Sequence, residues 1–171
     1  MEKSNIVLIG MPGAGKSTIG VLLAKASKKP FIDTDLLIQQ KENSFLQDII
    51  NSKGIDAFIK IEESITLGLD IQNHIIATGG SIIYSDKAIN HLKKHGILVY
   101  LNLKYYQLER RINNISSRGI AMKNSQTLID LYQERVPLYK KYADIEIDCW
   151  HKHIETIIAE IKDKVGLYLG N

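Results

Sequence analysis

Apolar residues in this chain come in short blocks that alternate with longer, half-polar stretches. Positions 6–9 (Ile-Val-Leu-Ile) form a continuous apolar run closed by Gly10, the pattern of a strand buried on both faces of a parallel sheet. After a glycine-rich turn, Ile19, Leu22, Leu23 and Ala26 fall at helical spacing, and Pro30 stops that helix near 27–29. Residues 31–32 make a second short strand that delivers Asp33-Thr34-Asp35, and 36–41 continue as helix. Ser44, with Gln47 three residues on, has the form of a capping box opening a helix over 45–51. Gly54 punctuates, and a longer helix is predicted over about 55–69. A third strand over 74–77 leads into Thr78-Gly79-Gly80-Ser81, a turn where backbone can approach a ligand closely. A helix over 86–94, a strand over 97–101 and a helix over 105–115 follow. The stretch 113–123 is polar and weakly patterned and reads as a mobile loop. A helix over about 125–142 contains Pro137, which predicts a kink or break. An alternating strand over 143–147 and an amphipathic helix over 154–165 close the pattern. Strands alternating with helices imply one α/β domain with a mostly parallel sheet covered on both faces.

Composition changes this picture little. At 171 residues, 44% apolar and 24% charged, the chain suits a single globular domain with a sizeable core. The net charge of +3 comes from scattered Lys and Arg, which tolerates anionic ligands without pointing to nucleic acid. One cysteine, Cys149, excludes an internal disulfide and fits a reducing compartment. No apolar signal region precedes the first strand and no apolar run could span a bilayer, so no membrane partner and a cytoplasmic location are expected.

The candidate chemistry sits in the first turn. Gly10, Gly15, Lys16 and Ser17 fit G-x-x-x-x-G-K-[ST]. Such a turn points successive backbone N–H groups, here those of Gly13, Ala14, Gly15, Lys16, Ser17 and Thr18, at phosphate oxygens. The helix N-terminus behind it carries partial positive charge. Lys16 then reaches the β- and γ-phosphates, and the Ser17 hydroxyl supplies a ligand for Mg²⁺. The chain has no room for a second domain and no Asn-Lys-x-Asp motif, which disfavours motor ATPases and small GTPases. A small phosphotransferase remains.

Gly10-Met-Pro-Gly-Ala-Gly-Lys-Ser-Thr-Ile-Gly20, then Phe31-Ile-Asp-Thr-Asp35, Thr78-Gly-Gly80, Arg118 and Glu134-Arg-Val-Pro-Leu-Tyr139 resemble the shikimate kinases in order and approximate spacing, over nearly the whole chain. The resemblance implies a three-layer, nucleoside-monophosphate-kinase-like P-loop fold with a five-stranded parallel sheet. It also implies a lid at about 113–123, acceptor-binding helices within about 35–70, and transfer of the ATP γ-phosphoryl to a ring hydroxyl. In that resemblance Asp35 hydrogen-bonds the acceptor hydroxyl, whereas by pattern alone it could simply cap the helix beginning at Leu36. Asp33 holds Mg²⁺ and Arg118 clamps the transferring phosphoryl. Arg110 and Arg111 lie near adenine, Arg135 holds the substrate carboxylate, and Gly79 and Gly80 lie against the ring. The family is often monomeric.

Three positions depart from the family. Ile59 stands where a second carboxylate-binding arginine is expected, Ser81 replaces the third glycine of the turn, and Gly119-Ile120 replace proline and leucine after the lid arginine. Loss of an arginine–carboxylate pair removes about 1.5–3 kcal/mol. The acceptor is therefore expected to be shikimate or, alternatively, a related cyclitol or sugar lacking the carboxylate. A nucleoside monophosphate acceptor and a catalytically degenerate nucleotide-binding module fit the pattern less well.

Overall fold

The structure is a computed structural model and describes residues 3–112 and 119–170. Strand β1 (Asn5–Ile9) is buried at every position and occupies the centre of a five-stranded sheet. Its neighbours are β3 (Ile75–Ala77) on one side and β4 (Gly96–Asn102) on the other, with β2 (Phe31–Asp33) and β5 (Ile145–Asp148) at the edges. All four pairings are parallel. Continuous apolar runs fit strands covered on both faces, and β1 and β4 run through the middle of the core.

Eight helices are described: α1 (Lys16–Ser27), α2 (Thr34–Glu42), α3 (Leu46–Lys53), α4 (Ile55–Leu67), α5 (Asp86–His95), α6 (Tyr105–Arg111), α7 (Leu128–Tyr142) and α8 (Ile154–Leu169). Right-handed crossovers sort them into layers. The β1–β2 crossover runs one way across the sheet and carries α1, which packs beside α8. The crossovers through β3, β4 and β5 run the other way and place α4, α5 and α7 on the opposite face. Ile38, Ile49, Ile50 and Phe58, from α2, α3 and α4, form a small second core with Ala121.

The boundaries differ from the pattern in instructive places. Helix α2 begins at Thr34 rather than 36, because Asp33 caps it: its Oδ1 accepts from Asp35 N at 2.9 Å. The expected capping box at Ser44 and Gln47 does not form; Phe45 is the N-cap of α3 and offers no side-chain cap. A capping box does open α7, from Thr127 and Asp130, so that helix starts at Leu128. It then runs unbroken through Pro137, whose missing N–H leaves the Gln133 carbonyl without its helical donor. Helix α6 ends at Arg111, α8 extends to Leu169, and β5 sits two residues later than the alternation placed its start.

The expected lid falls partly outside the described residues, which exclude 113–118 and hence Arg118. Its C-terminal part is packed: Ile120 and Ala121 are buried, and Gly119 N donates to Gln47 Oε1 at 3.1 Å. Gly119 adopts φ +66°, and a Cβ there would fall 2.3 Å from Leu46 Cβ. A proline, with φ fixed near −65° and no N–H, can neither take this conformation nor make this bond. The departure at 119 therefore belongs with a contact to α3. Gly119→Ala must adopt the left-handed region and displace Leu46. It is expected to cost about 2 kcal/mol or more and to lower the melting temperature by about 4–8 °C. A variant that melts with the parent protein would show this contact to be slack.

Candidate active site

The carboxyl ends of β1, β2 and β3 line up along one edge of the sheet, since Asp33 pairs with Ala77 and Ala77 with Leu8. The loop from β1 to α1 curls through Gly13 (φ +79°) and Gly15 (φ +92°). No acidic residue occupies the first turn of α1, so nothing in that turn competes with an anion at its N-terminus. Lys16 is nearly buried, and its Nζ donates to Gly10 O at 2.8 Å and Met11 O at 2.9 Å. The Ser17 hydroxyl donates to Asp33 Oδ2 at 2.5 Å, which brings both candidate metal ligands together.

A cleft of about 370 Å³ begins at this loop and is lined by Lys16, Ser17, Asp35, Gly79, Gly80 and Arg135 among others. The candidates from distant parts of the sequence thus share one space. Asp35 sits in the first turn of α2, released from capping duty by Asp33. Burial, and then the charge of Asp33, push its carboxyl up to about 6 against the pull of Lys16. Burial lowers Lys16 to about 8, opposed by Asp35 and Asp33.

At the far end of the cleft, Arg135 is only 1% exposed. Its Nε donates to Tyr84 Oη at 3.2 Å and its Nη2 to Ala121 O at 2.5 Å. Nη1 lies beside Gly80, where a Cβ would approach it to 3.1 Å. Tyr139, stacked on Tyr100 at 5.2 Å, donates its hydroxyl to Gly80 O at 2.6 Å and so ties the glycine turn to α7. Of the two arginines expected near the nucleotide, Arg111 rather than Arg110 reaches the loop, donating from Nη1 to Gly13 O at 3.4 Å. Arg118 lies outside the described residues.

Glu62 is a site residue the sequence reading passed over. It is 1% exposed, accepts from Ser81 Oγ at 2.5 Å through Oε2, and has no hydrogen-bond partner at Oε1 among the described residues. A Cβ at Gly79 would come within 2.0 Å of Glu62 Oε1 and 2.8 Å of Asp35 Oδ1, so only glycine fits between the two carboxyls. A signal was present, because Phe58, Glu62 and Thr66 form the buried stripe of α4 at four-residue spacing, with a charge in its middle. Ile59, by contrast, is half-buried and does not line the cleft.

The arrangement can bind phosphate at the loop, hold a carboxylate against a hydroxyl in mid-cleft, and pair an anion with Arg135 at the far end. Burial first, and then Asp35, raise Glu62 from 4.5 to about 7, against the Ser81 hydrogen bond, Arg135 and Lys16. The folded state therefore binds the Glu62 proton more tightly than the unfolded chain. Stability from this group is complete below about pH 4.5 and is lost as pH rises through about 7. Glu62→Gln is expected to lose less stability than the parent protein between pH 5 and pH 8, read from denaturant midpoints. Parallel profiles would count against a protonated Glu62.

Comparison with known proteins agrees with this geometry. The family model for shikimate kinase matches residues 12–166. A shikimate kinase of Dehalococcoides mccartyi is 32% identical over 168 residues, covering 97% of this chain and 96% of that protein. One from Clostridium botulinum is 35% identical over 161 residues, covering 94% and 96% respectively. The solved structure of shikimate kinase from Acinetobacter baumannii in complex with shikimate superposes with a TM-score of 0.87 at 29% identity, covering 99% of this chain and 94% of that one. With the phosphate loop, Asp35 and Arg135 gathered in one cleft, and with relatives matched over nearly its full length, the chain belongs to the shikimate kinase family of small-molecule kinases.

Proposed function

We propose that this protein transfers the γ-phosphoryl group of ATP to a ring hydroxyl of shikimate, as a cytoplasmic monomer. One observation carries the reading: a single cleft joins Lys16 at the phosphate loop, Asp35 midway and Arg135 at the far end. These are the three groups needed for a phosphoryl donor, a hydroxyl nucleophile and a carboxylate. In the reaction the acceptor oxygen bonds to the γ-phosphorus, the bridging P–O bond breaks, and its electron pair leaves with ADP. Asp35 orients the hydroxyl and receives its proton. Lys16 and the loop amides stabilise charge on the phosphoryl oxygens, and Arg118 adds a guanidinium there. Arg111 stands by the nucleotide, and Arg135 holds the carboxylate through Nη1, the guanidinium nitrogen not used by Tyr84 or Ala121.

Ser17 Oγ and Asp33 Oδ2, 2.5 Å apart, are hard oxygen donors that fit Mg²⁺, with phosphate and water completing its shell. Bound there, the ion would neutralise charge developing between the β- and γ-phosphates.

A second reading keeps the chemistry and changes the acceptor to a cyclitol or sugar without a carboxylate. It is favoured by Ile59, which leaves Arg135 as the one arginine lining the cleft among the described residues. ADP release with ATP and Mg²⁺ separates the two: saturable turnover on shikimate, absent with matched neutral cyclitols, is expected. Turnover on a neutral cyclitol alone would establish the second reading.

Lys16→Ala is expected to lower kcat by about 100-fold or more, and full turnover in that variant would sink the mechanism. Asp35→Asn is expected to lose about 10²- to 10⁴-fold in kcat with nucleotide affinity retained, measured by steady-state kinetics beside nucleotide titration.

A further inference from the structure

Ser81 closes the turn 78–81, which forms one wall of the cleft, and it is buried. Its bond to Glu62 spans 19 residues and is the one side-chain hydrogen bond between that turn and α4 among the described residues. Other parts of the turn are anchored elsewhere. Gly79 N donates to Thr34 Oγ1 on α2 at 3.1 Å, and Gly80 O accepts from Tyr139 on α7. Glu62 Oε1 and Asp35 Oδ1 both crowd Gly79, which puts the two oxygens less than 5 Å apart. The groups bearing on Glu62 are Ser81 from the turn, Asp35 from α2, Lys16 from α1 and Arg135 from α7. Among the described residues, only Ser81 bonds to it. A glycine or alanine at 81 would orphan both oxygens of a desolvated carboxyl packed directly against the acceptor wall.

We propose that Ser81 is a positioning residue for the acceptor: by fixing Glu62 against Gly79 it sets the wall beside Asp35, and so tunes acceptor affinity without touching the nucleotide. The proposal rests on the acceptor occupying the Asp35–Arg135 part of the cleft, as assigned above. Ser81 and its hydroxyl therefore do work that a third glycine in the turn could not do.

The test compares Ser81→Ala and Ser81→Thr with the parent protein in the ADP-release assay on shikimate. Ser81→Ala is expected to raise KM for the acceptor about tenfold while kcat and KM for ATP stay within about twofold. Ser81→Thr, which keeps the hydroxyl, is expected to restore the parent KM. An unchanged acceptor KM in Ser81→Ala, or an equal rise in both KM values, overturns the proposal. Amide exchange at Gly79 and Gly80 provides a readout that needs no acceptor. Faster exchange in Ser81→Ala but not in Ser81→Thr supports the positioning role, and equal rates in all three proteins overturn it. If the parent protein fails to turn over shikimate, the assigned acceptor is wrong, and the exchange rates still decide the role of Ser81.

Discussion

Two cations and three carboxylates are desolvated together on one floor of this molecule. Lys16, Arg135, Asp33 and Glu62 are all buried, and Asp35 stands among them. Any one of these charges alone would cost several kcal/mol or neutralise itself. Held together, each offsets part of another's burial, with Asp33 and Asp35 supporting the charge on Lys16. The sheet serves this arrangement. Only with β2 beside β3 and β3 beside β1 do Asp33, the glycine turn and the phosphate loop emerge along one edge. The helices then close the floor: α2 brings Asp35, α4 brings Glu62 and α7 brings Arg135.

What could be read directly was whatever the chain states locally. The phosphate loop is contiguous, and the apolar strand before it with the amphipathic helix after it identify its context within one local stretch, from Ile6 to Ser27. The alternation of strands and helices likewise follows from burial of both sheet faces. Asp33 and Asp35 stand out in the sequence as a pair, but what separates them is the helix start: capping by Asp33 leaves the Asp35 carboxyl free. The choice between Arg110 and Arg111 is a matter of helical phase. Buried Leu108 lies three residues before Arg111, so those two share a face and Arg110 turns away.

Tertiary competition explains the rest. Gln47 had the spacing of a capping residue, but its side chain accepts from the Gly119 amide across 72 residues. Glu62 and Ser81 meet only because α4 and the turn after β3 pack together, a pairing that no local pattern contains. Ile59 is the opposite case, being conspicuous in the sequence yet set outside the cleft lining. The end of the cleft around Asp35, Glu62, Gly80 and Arg135 is assembled from four separated elements, whereas the end at the loop after β1 is nearly one segment. That difference is why one was legible and the other was not.

The central position of β1 also sets an order of events in synthesis. Asn5–Ile9 is made before the other four strands of the sheet, yet both its partners lie far downstream, with Ile6 opposite Ile75 and Ile97. At 5–20 residues per second, the ribosome needs about 4–14 s to add the roughly 70 residues between Ile6 and Ile75. Through that interval this buried, largely apolar strand has no ladder to join. The strand made next, β2, cannot relieve it, because β3 must slot between them. The geometry that places the phosphate loop at the heart of the sheet thus makes its strand wait for chain not yet synthesised, and it is during this wait that a holdase would have most to protect.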